Sequence, residues 1–118
     1  MKQKKYFNEF LIGCNYFASH KGIHMWKYWD EDVVDKDFAA LKKHGMEYVR
    51  IFPVWSDFQP LTPHMTGPNL FEVRMGEEPF PDTPAGRAGV NQEMADRLVK
   101  MIELAHNHGL NLMIELIN

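Results

Sequence analysis

A pattern of helix, His-Gly and strand occurs twice in the sequence, and it restricts the fold more than any other feature. A helix-like segment over 31–44 ends in His-Gly and leads directly into the apolar segment MEYVRIF. A second over 91–108 ends in the same dipeptide and leads into LNLMIELI. Since a buried strand, FLIGCNY over 10–16, precedes both, the order is β-α-β-α-β, which predicts parallel strands joined by right-handed crossovers.

Both predicted helices have recognisable ends and one apolar face. Asp30 and Asn91 stand where a helix N-cap is expected, and Gly45 and Gly109 suit the left-handed position just past a helix end. Apolar residues at helical spacing define the faces that we expect to pack on the sheet. They are Val34, Phe38 and Leu41 in the first helix, and Met94, Leu98, Met101, Ile102 and Ala105 in the second.

The connection over 53–90 is far longer than the few residues usual between a strand and a helix in α/β units. It contains all seven prolines and four of the eight glycines. It leaves the carboxyl end of the second strand, where barrels and open α/β sheets bind their ligands. We therefore predict a functional βα loop at 53–90, with a mobile surface insertion as the alternative.

Three parallel strands and two helices match the first part of a TIM (β/α)8 barrel, which needs roughly 250 residues. We therefore predict an α/β fold in which 1–118 is the amino-terminal fragment of a single (β/α)8 catalytic domain, incomplete in this chain. A doubly wound nucleotide-binding domain would also alternate strands and helices. It is disfavoured because neither GxGxxG nor GxxxxGKS/T follows the first strand to hold a phosphate.

Composition excludes several classes of partner. A net charge of −3, with both signs spread along the 118 residues, gives no sign of nucleic-acid binding or of a polybasic membrane anchor. The single cysteine, Cys14, excludes an internal disulfide and a cysteine-based zinc site, and we expect no metal and no cofactor. No apolar run approaches the ~20 residues that cross a bilayer. Asn8 and Glu9 interrupt the start, so we expect no signal peptide and a cytoplasmic protein.

Aromatic residues cluster after the first two strands. Trp26, Trp29 and Trp55 lie in these loops rather than at helix-face positions. An indole plane is a rigid platform for the apolar face of a sugar ring, so at least one is predicted to bind carbohydrate. The alternative is that the rings only cover the packed loops. Polar side chains that suit sugar hydroxyls are Asn15, His20 and Asp57, although such loop residues most often serve turn backbones.

Arg50 is unusual because it lies within the apolar strand MEYVRIF. Alternation places it on the opposite face from Val49 and Ile51. If that aliphatic pair packs on the helices, Arg50 points into the barrel near its top. A buried guanidinium is costly unless it is paired, so we expect carboxylates from other strands around it. A purely structural ion pair is the alternative.

The sequence GCNYFASHKGIHMWKYWDEDVVDKDFAALKKHGMEYVRIFPVWSDFQP resembles the amino-terminal region of glycoside hydrolase family 5, the cellulase and mannanase group. The resemblance continues through PDTPAGRAGVNQEM and covers nearly the whole chain. In that family the second strand ends in Arg, an apolar residue and often Pro, which Arg50-Ile51-Phe52-Pro53 matches with one extra residue. This implies hydrolysis of a β-linked oligo- or polysaccharide, with Arg50 holding the catalytic nucleophile. Barrel glycosidases that cleave β-galactosides share parts of the pattern.

The resemblance also implies two catalytic glutamates, about 5–5.5 Å apart in retaining enzymes. They belong on the fourth and seventh strands, which this chain does not contain, so the fragment alone is expected to be inactive. Glu115 on the third strand is more often a partner for an Arg such as Arg50 than a contact to substrate. A non-catalytic or vestigial carbohydrate-binding barrel stays an alternative, and the oligomeric state is left open.

Overall fold

The structure, a computed structural model, describes residues 11–115. In chain order its elements are β1 (Gly13–Asn15), a 3-10 helix (Ile23–Trp26), α1 (Glu31–Lys43), β2 (Tyr48–Ile51), α2 (Trp55–Phe58), β3 (Leu61–Gly67), β4 (Leu70–Met75), α3 (Pro84–Arg87), α4 (Gln92–Asn107) and β5 (Asn111–Ile114). The three predicted strands are present but shorter than expected. Parts of the first and third predictions, including Phe10 and Ile117, lie outside the described residues.

The main sheet has three parallel strands in the order β1-β2-β5, with β2 in the centre. Helices α1 and α4 provide the two crossovers, so the α/β prediction of one part of a (β/α)8 barrel is confirmed. In register, Asn15 lies beside Arg50, and Arg50 lies beside Met113. Neighbouring residues in register point to the same side of a sheet, so these three side chains share the face opposite the helices.

The helix ends form as the sequence predicts. The Asp30 side chain accepts a hydrogen bond from the Val33 backbone N–H at 3.3 Å, and the Asn91 side chain accepts one from the Met94 N–H at 3.1 Å. Both glycines that follow the helices have positive φ, 91° at Gly45 and 69° at Gly109. Capping therefore sets the point at which each helix turns back toward the sheet.

The core lies between the sheet and the two long helices. Val49 and Ile51 of β2 are fully buried there, as alternation predicts. Ile102 was predicted to face the core, and this was wrong, because it is 44% exposed while Leu104 is buried instead. The buried face of α4 is centred on Met101 and Leu104, three residues apart, and Ile102 is turned about 100° away from Met101 around the helix.

Gly13 allows a close contact between β1 and β2. A Cβ atom built on Gly13 would lie 2.4 Å from the ring of Tyr48, which is its register partner. Any larger residue would displace that ring. The contact lies on the face of the sheet that also carries Arg50.

The connection over 53–90 contains an antiparallel hairpin, β3–β4, which the sequence analysis did not predict. Its turn has Pro68 followed by Asn69 with φ 60°, the pattern of a type II turn. Pro63 lies within β3, where it is tolerated because both strands of a two-stranded hairpin are edge strands. Within 11–115, no helix combines the length and the apolar character required for a membrane span.

Candidate functional site

The carboxyl ends of the three parallel strands bring the chemically important residues to one edge of the sheet. The Tyr16 N–H donates to the Arg50 carbonyl at 2.8 Å, and the Glu115 N–H donates to the Ile51 carbonyl at 3.0 Å. Hydrogen bonding thus holds the residues that follow β1 and β5 against the end of β2. We call this edge the mouth; it contains Asn15, Arg50 and Glu115.

Arg50 is paired with a carboxylate from another strand. Its Nη2 donates to Glu115 Oε2 in a direct ion pair. This is the carboxylate partner expected for an arginine within an apolar strand. Both side chains keep substantial exposure, so the guanidinium has donors left for a further acceptor.

Two phenylalanines at the mouth were not among the predicted site residues. The Arg50 guanidinium lies over the Phe52 ring, 5.3 Å from its centroid, and Phe52 stacks on Phe17 with centroids 5.1 Å apart. Phe17 is 42% exposed. Their positions in the sequence could have indicated both residues, because Phe17 follows β1 and Phe52 shares a face with Arg50. The resulting stack of Arg50, Phe52 and Phe17 forms an apolar wall of the mouth.

Trp26 is a core residue, so its predicted role as a sugar platform is corrected. The residue is 1% exposed, and its Nε1–H donates to the Phe52 carbonyl at 2.9 Å. Trp29 stacks against one side of the indole and Phe58 meets it edge-on, with centroids 5.9 and 5.0 Å away. The indole of Trp26 thus covers the packed loop, which was the alternative to a sugar platform. Its hydrogen bond also holds Phe52, whose ring lies under the Arg50 guanidinium.

Trp29 and Trp55 retain accessible surface. Trp29 is half-buried because one face packs on Trp26. Trp55 begins α2, directly after β2, and is 43% exposed. Trp55 is therefore the tryptophan whose surface is most available to a ligand.

Asp57 supports the loops instead of facing solvent. Its side chain is buried and lies 3.5 Å from Lys27 Nζ. The carboxylate therefore forms an ion pair between the two loops, and the hydrogen bond from Asp57 to a sugar stays a prediction. Arg97 of α4 braces the same loop by donating to the Trp26 carbonyl at 2.5 Å and to Glu93. Nothing in the sequence marks Arg97 for this role, because it lies on an ordinary amphipathic helix.

His20 and Asn15 keep features compatible with ligand binding. His20 Nε2 lies 2.8 Å from the Tyr28 carbonyl, which implies that this nitrogen carries the proton. Its Nδ1 is buried with no hydrogen-bond partner among residues 11–115. Asn15 is exposed at the end of β1, on the same face as Arg50.

The far side of β1 is anchored to α1 by a carboxylate. Asp37 accepts hydrogen bonds from the Tyr16 hydroxyl at 2.7 Å and from Ser19 through its N–H and hydroxyl. Burial, together with the bond to Asp37, raises the pKa of the Tyr16 hydroxyl, so it stays protonated as a donor. A cavity of about 340 Å³ lies beside this cluster, between β1 and α1, and its lining includes Asn15 and Phe17 of the mouth.

No group of three or more histidine, cysteine or acidic side chains within 11–115 is arranged to hold a metal ion. His20 and His24, four residues apart in sequence, lie on either side of Gly22 at a short 3-10 helix.

Comparison with known proteins identifies the fold. No protein-family profile matches the chain, and neither does any curated protein sequence. Among solved structures, GH5_18 from Bifidobacterium longum subsp. longum is similar, with a TM-score of 0.65 and 27% identity over 91% of this chain and 20% of that one. A variant of that enzyme in complex with Manb1-4GlcNAc gives a TM-score of 0.66 at the same identity, over 92% of this chain and 20% of that one.

An exo-beta-1,4-mannosidase, Op5Man5 from Opitutaceae bacterium strain TAV5, is similar in fold. Its TM-score is 0.63 and its identity 24%, over 90% of this chain and 14% of that one. The chain spans about one fifth or less of the length of these enzymes. The chain therefore has the fold of one part of a GH5-like glycoside hydrolase barrel.

Proposed function

We propose that residues 1–118 belong to a longer chain that forms a retaining β-glycoside hydrolase barrel, of which this segment supplies the first three strands. The observation that carries the proposal is the paired Arg50 at the carboxyl edge of a sheet whose fold matches GH5_18 enzymes. The outer strands support it too. Ile12, Met113 and Ile114 expose apolar surface on or beside β1 and β5, as expected where a sheet continues into a barrel.

Each mouth residue has a role in this proposal. Arg50 donates to the nucleophilic glutamate of a later strand, holding it in line with the anomeric carbon and in its charged form. Glu115 fixes the guanidinium through the ion pair between them. Trp55 supplies an apolar platform for a sugar ring, and Asn15 offers an amide to sugar hydroxyls. The second glutamate protonates the leaving oxygen and then activates water.

A terminal β-linked mannoside is the first substrate to test. One similar structure is a β-1,4-mannosidase, and another holds Manb1-4GlcNAc. The test measures hydrolysis of aryl β-mannoside, β-glucoside and β-galactoside by the full-length protein. The proposal is supported if the aryl β-mannoside is hydrolysed with the highest kcat/KM of the three. A preference for another β-glycoside retains the enzyme class and removes the mannoside assignment, and no hydrolysis of any glycoside contradicts both.

Replacing Trp55 by alanine is expected to raise KM by about 5- to 30-fold and to change kcat little, since a stacking platform contributes about 1–2 kcal/mol to ground and transition states alike. The thermal unfolding midpoint should stay constant because the ring is largely exposed. Tyr28→Ala, at another exposed aromatic residue, is the matched control and should leave KM unchanged. An unchanged KM in Trp55→Ala would remove the platform role.

Replacing Glu115 by glutamine is expected to lower kcat/KM about tenfold, because a neutral hydrogen bond to Arg50 is weaker than a charged one by about 1–1.5 kcal/mol. Steady-state kinetics measures the effect. Glu72→Gln, which removes the partner of Arg74 in the hairpin, is the matched control and should retain full activity. A loss as large as that caused by removing Arg50 would mean that Glu115 itself participates in the reaction.

A further inference from the structure

The Arg50 guanidinium has two neighbours, which restrain it in different ways. Glu115 Oε2 accepts a hydrogen bond from Nη2, so this contact fixes one end of the group. The Phe52 ring lies under the guanidinium, with Cζ 5.3 Å from the ring centroid. A guanidinium that is held at one nitrogen alone can still tilt about that contact, whereas a ring against its face also restricts the orientation of its plane. The two contacts together restrict both the position and the plane of the group.

The Phe52 ring is itself held in place. Its neighbours in the chain, Ile51 and Pro53, are fully buried. Phe17 stacks on the ring at an interplanar angle of 10°, with the two centroids 5.1 Å apart. These contacts hold the ring in addition to the bond that the Phe52 carbonyl accepts from Trp26. The ring is therefore a fixed surface for Arg50 and does not depend on the Trp26 bond alone.

We propose that Phe52 is a positioning residue for Arg50, and that its ring sets the plane in which the guanidinium presents its remaining donors at the mouth. The inference rests on the proposed function, in which Arg50 donates to the nucleophilic glutamate. A guanidinium and a carboxylate pair best when their planar groups are aligned, so the plane of the guanidinium determines how well the nucleophile is held. Phe52 acts through Arg50 and requires no contact of its own with the substrate.

The aromatic character of residue 52 matters as well as its size. The face of a phenyl ring carries partial negative charge and attracts a cation, and a planar guanidinium also stacks on it. A leucine would cover the same apolar surface without this attraction. The residues of the contact come from β1, β2 and the positions directly after these strands, so the contact forms within the described part of the chain.

Replacing Phe52 by leucine in the full-length protein is expected to lower kcat about 5- to 30-fold and to change KM less than about twofold. Phe52→Tyr keeps the ring face and should retain most of the wild-type kcat. Phenylalanine analogues with increasing numbers of ring fluorines, incorporated at position 52, keep the shape of the ring while they remove its negative face. We expect kcat to fall stepwise along this series, as measured by initial-rate kinetics on the best aryl glycoside.

Phe38→Leu is the matched control, because it removes a fully buried ring from α1, on the opposite side of the sheet from Arg50. It should lower the thermal unfolding midpoint at least as much as Phe52→Leu does and leave kcat and KM unchanged. A raised KM with unchanged kcat in Phe52→Leu would make Phe52 a contact to the sugar and overturn the positioning role. A wild-type kcat in Phe52→Leu, or a kcat that does not respond to fluorination, overturns it as well.

Crystal structures of the full-length wild type and of Phe52→Leu separate failure of this inference from failure of the proposed function. We expect the Arg50 guanidinium over the Phe52 ring in wild type, and displaced or spread over more than one conformer in the variant. An unmoved guanidinium in Phe52→Leu overturns the positioning role even if the protein is a glycosidase. Displacement in a protein that hydrolyses no glycoside supports the role of Phe52 toward Arg50 and rejects only the proposed function.

Discussion

Replacing Arg50 by alanine in the full-length protein is expected to lower kcat about a thousandfold and to change KM less than about fivefold, because a misplaced nucleophile weakens the transition state selectively. Arg50 occupies the carboxyl end of the central strand and keeps free donors beside its bond to Glu115. Arg50→Lys should recover only part of the loss, since an ammonium keeps the charge without the planar fork. Initial-rate kinetics on the best aryl glycoside measures both variants.

Arg74→Ala is the control for Arg50→Ala. Arg74 is also a strand arginine paired with a glutamate, but it lies in the hairpin and away from the mouth. Its removal should leave kcat within about twofold of wild type, as is usual for an exposed ion pair. If Arg50→Ala folds and retains the wild-type kcat, Arg50 does not hold the nucleophile.

Replacing Trp26 by alanine is expected to destabilise the protein by about 3–5 kcal/mol, the usual cost of removing a buried aromatic side chain. The indole is fully buried, and its N–H bond to the Phe52 carbonyl is lost as well. Denaturant unfolding followed by tryptophan fluorescence and circular dichroism measures the shift. Activity measured at low temperature, where the variant is folded, should stay close to that of wild type, because the ring is buried in the core.

Trp55→Ala separates the effect of burial from that of residue type. It removes the same side chain from an exposed position two residues beyond Pro53, and should change stability by less than about 0.5 kcal/mol. Trp26→Ala with normal stability but weakened substrate binding would contradict the assignment of Trp26 to the core and return it to the mouth.

The fold was predictable where local signals agreed with the tertiary pattern. Caps at Asp30 and Asn91, glycines after both long helices and the alternation in β2 each have a direct physical cause, and all are observed. The hairpin was missed because its prolines suggested an irregular loop. The apolar residues at every second position of β3 and β4 did carry a strand signal, and an edge strand tolerates Pro63.

The site was predictable only in part. Alternation and the cost of a buried charge were enough to pair Arg50 with a carboxylate, because both rules depend on the residue and its strand. Trp26 and Trp55 have the same chemistry and both lie after strands, yet one is buried and the other exposed. The difference comes from contacts with Phe58 and Phe52, which are distant in sequence from Trp26. Sequence position alone does not contain that information.

Trapping of the glycosyl-enzyme intermediate tests the central claim most directly. The full-length protein is incubated with a 2-deoxy-2-fluoro β-mannoside that carries a good leaving group, and the labelled peptide is identified by mass spectrometry. We predict a single label on a glutamate outside residues 1–118, with Arg50→Ala slowing its formation. A label on Glu115, or no label in a protein that also hydrolyses no aryl glycoside, would contradict a retaining barrel glycosidase with Arg50 at its mouth.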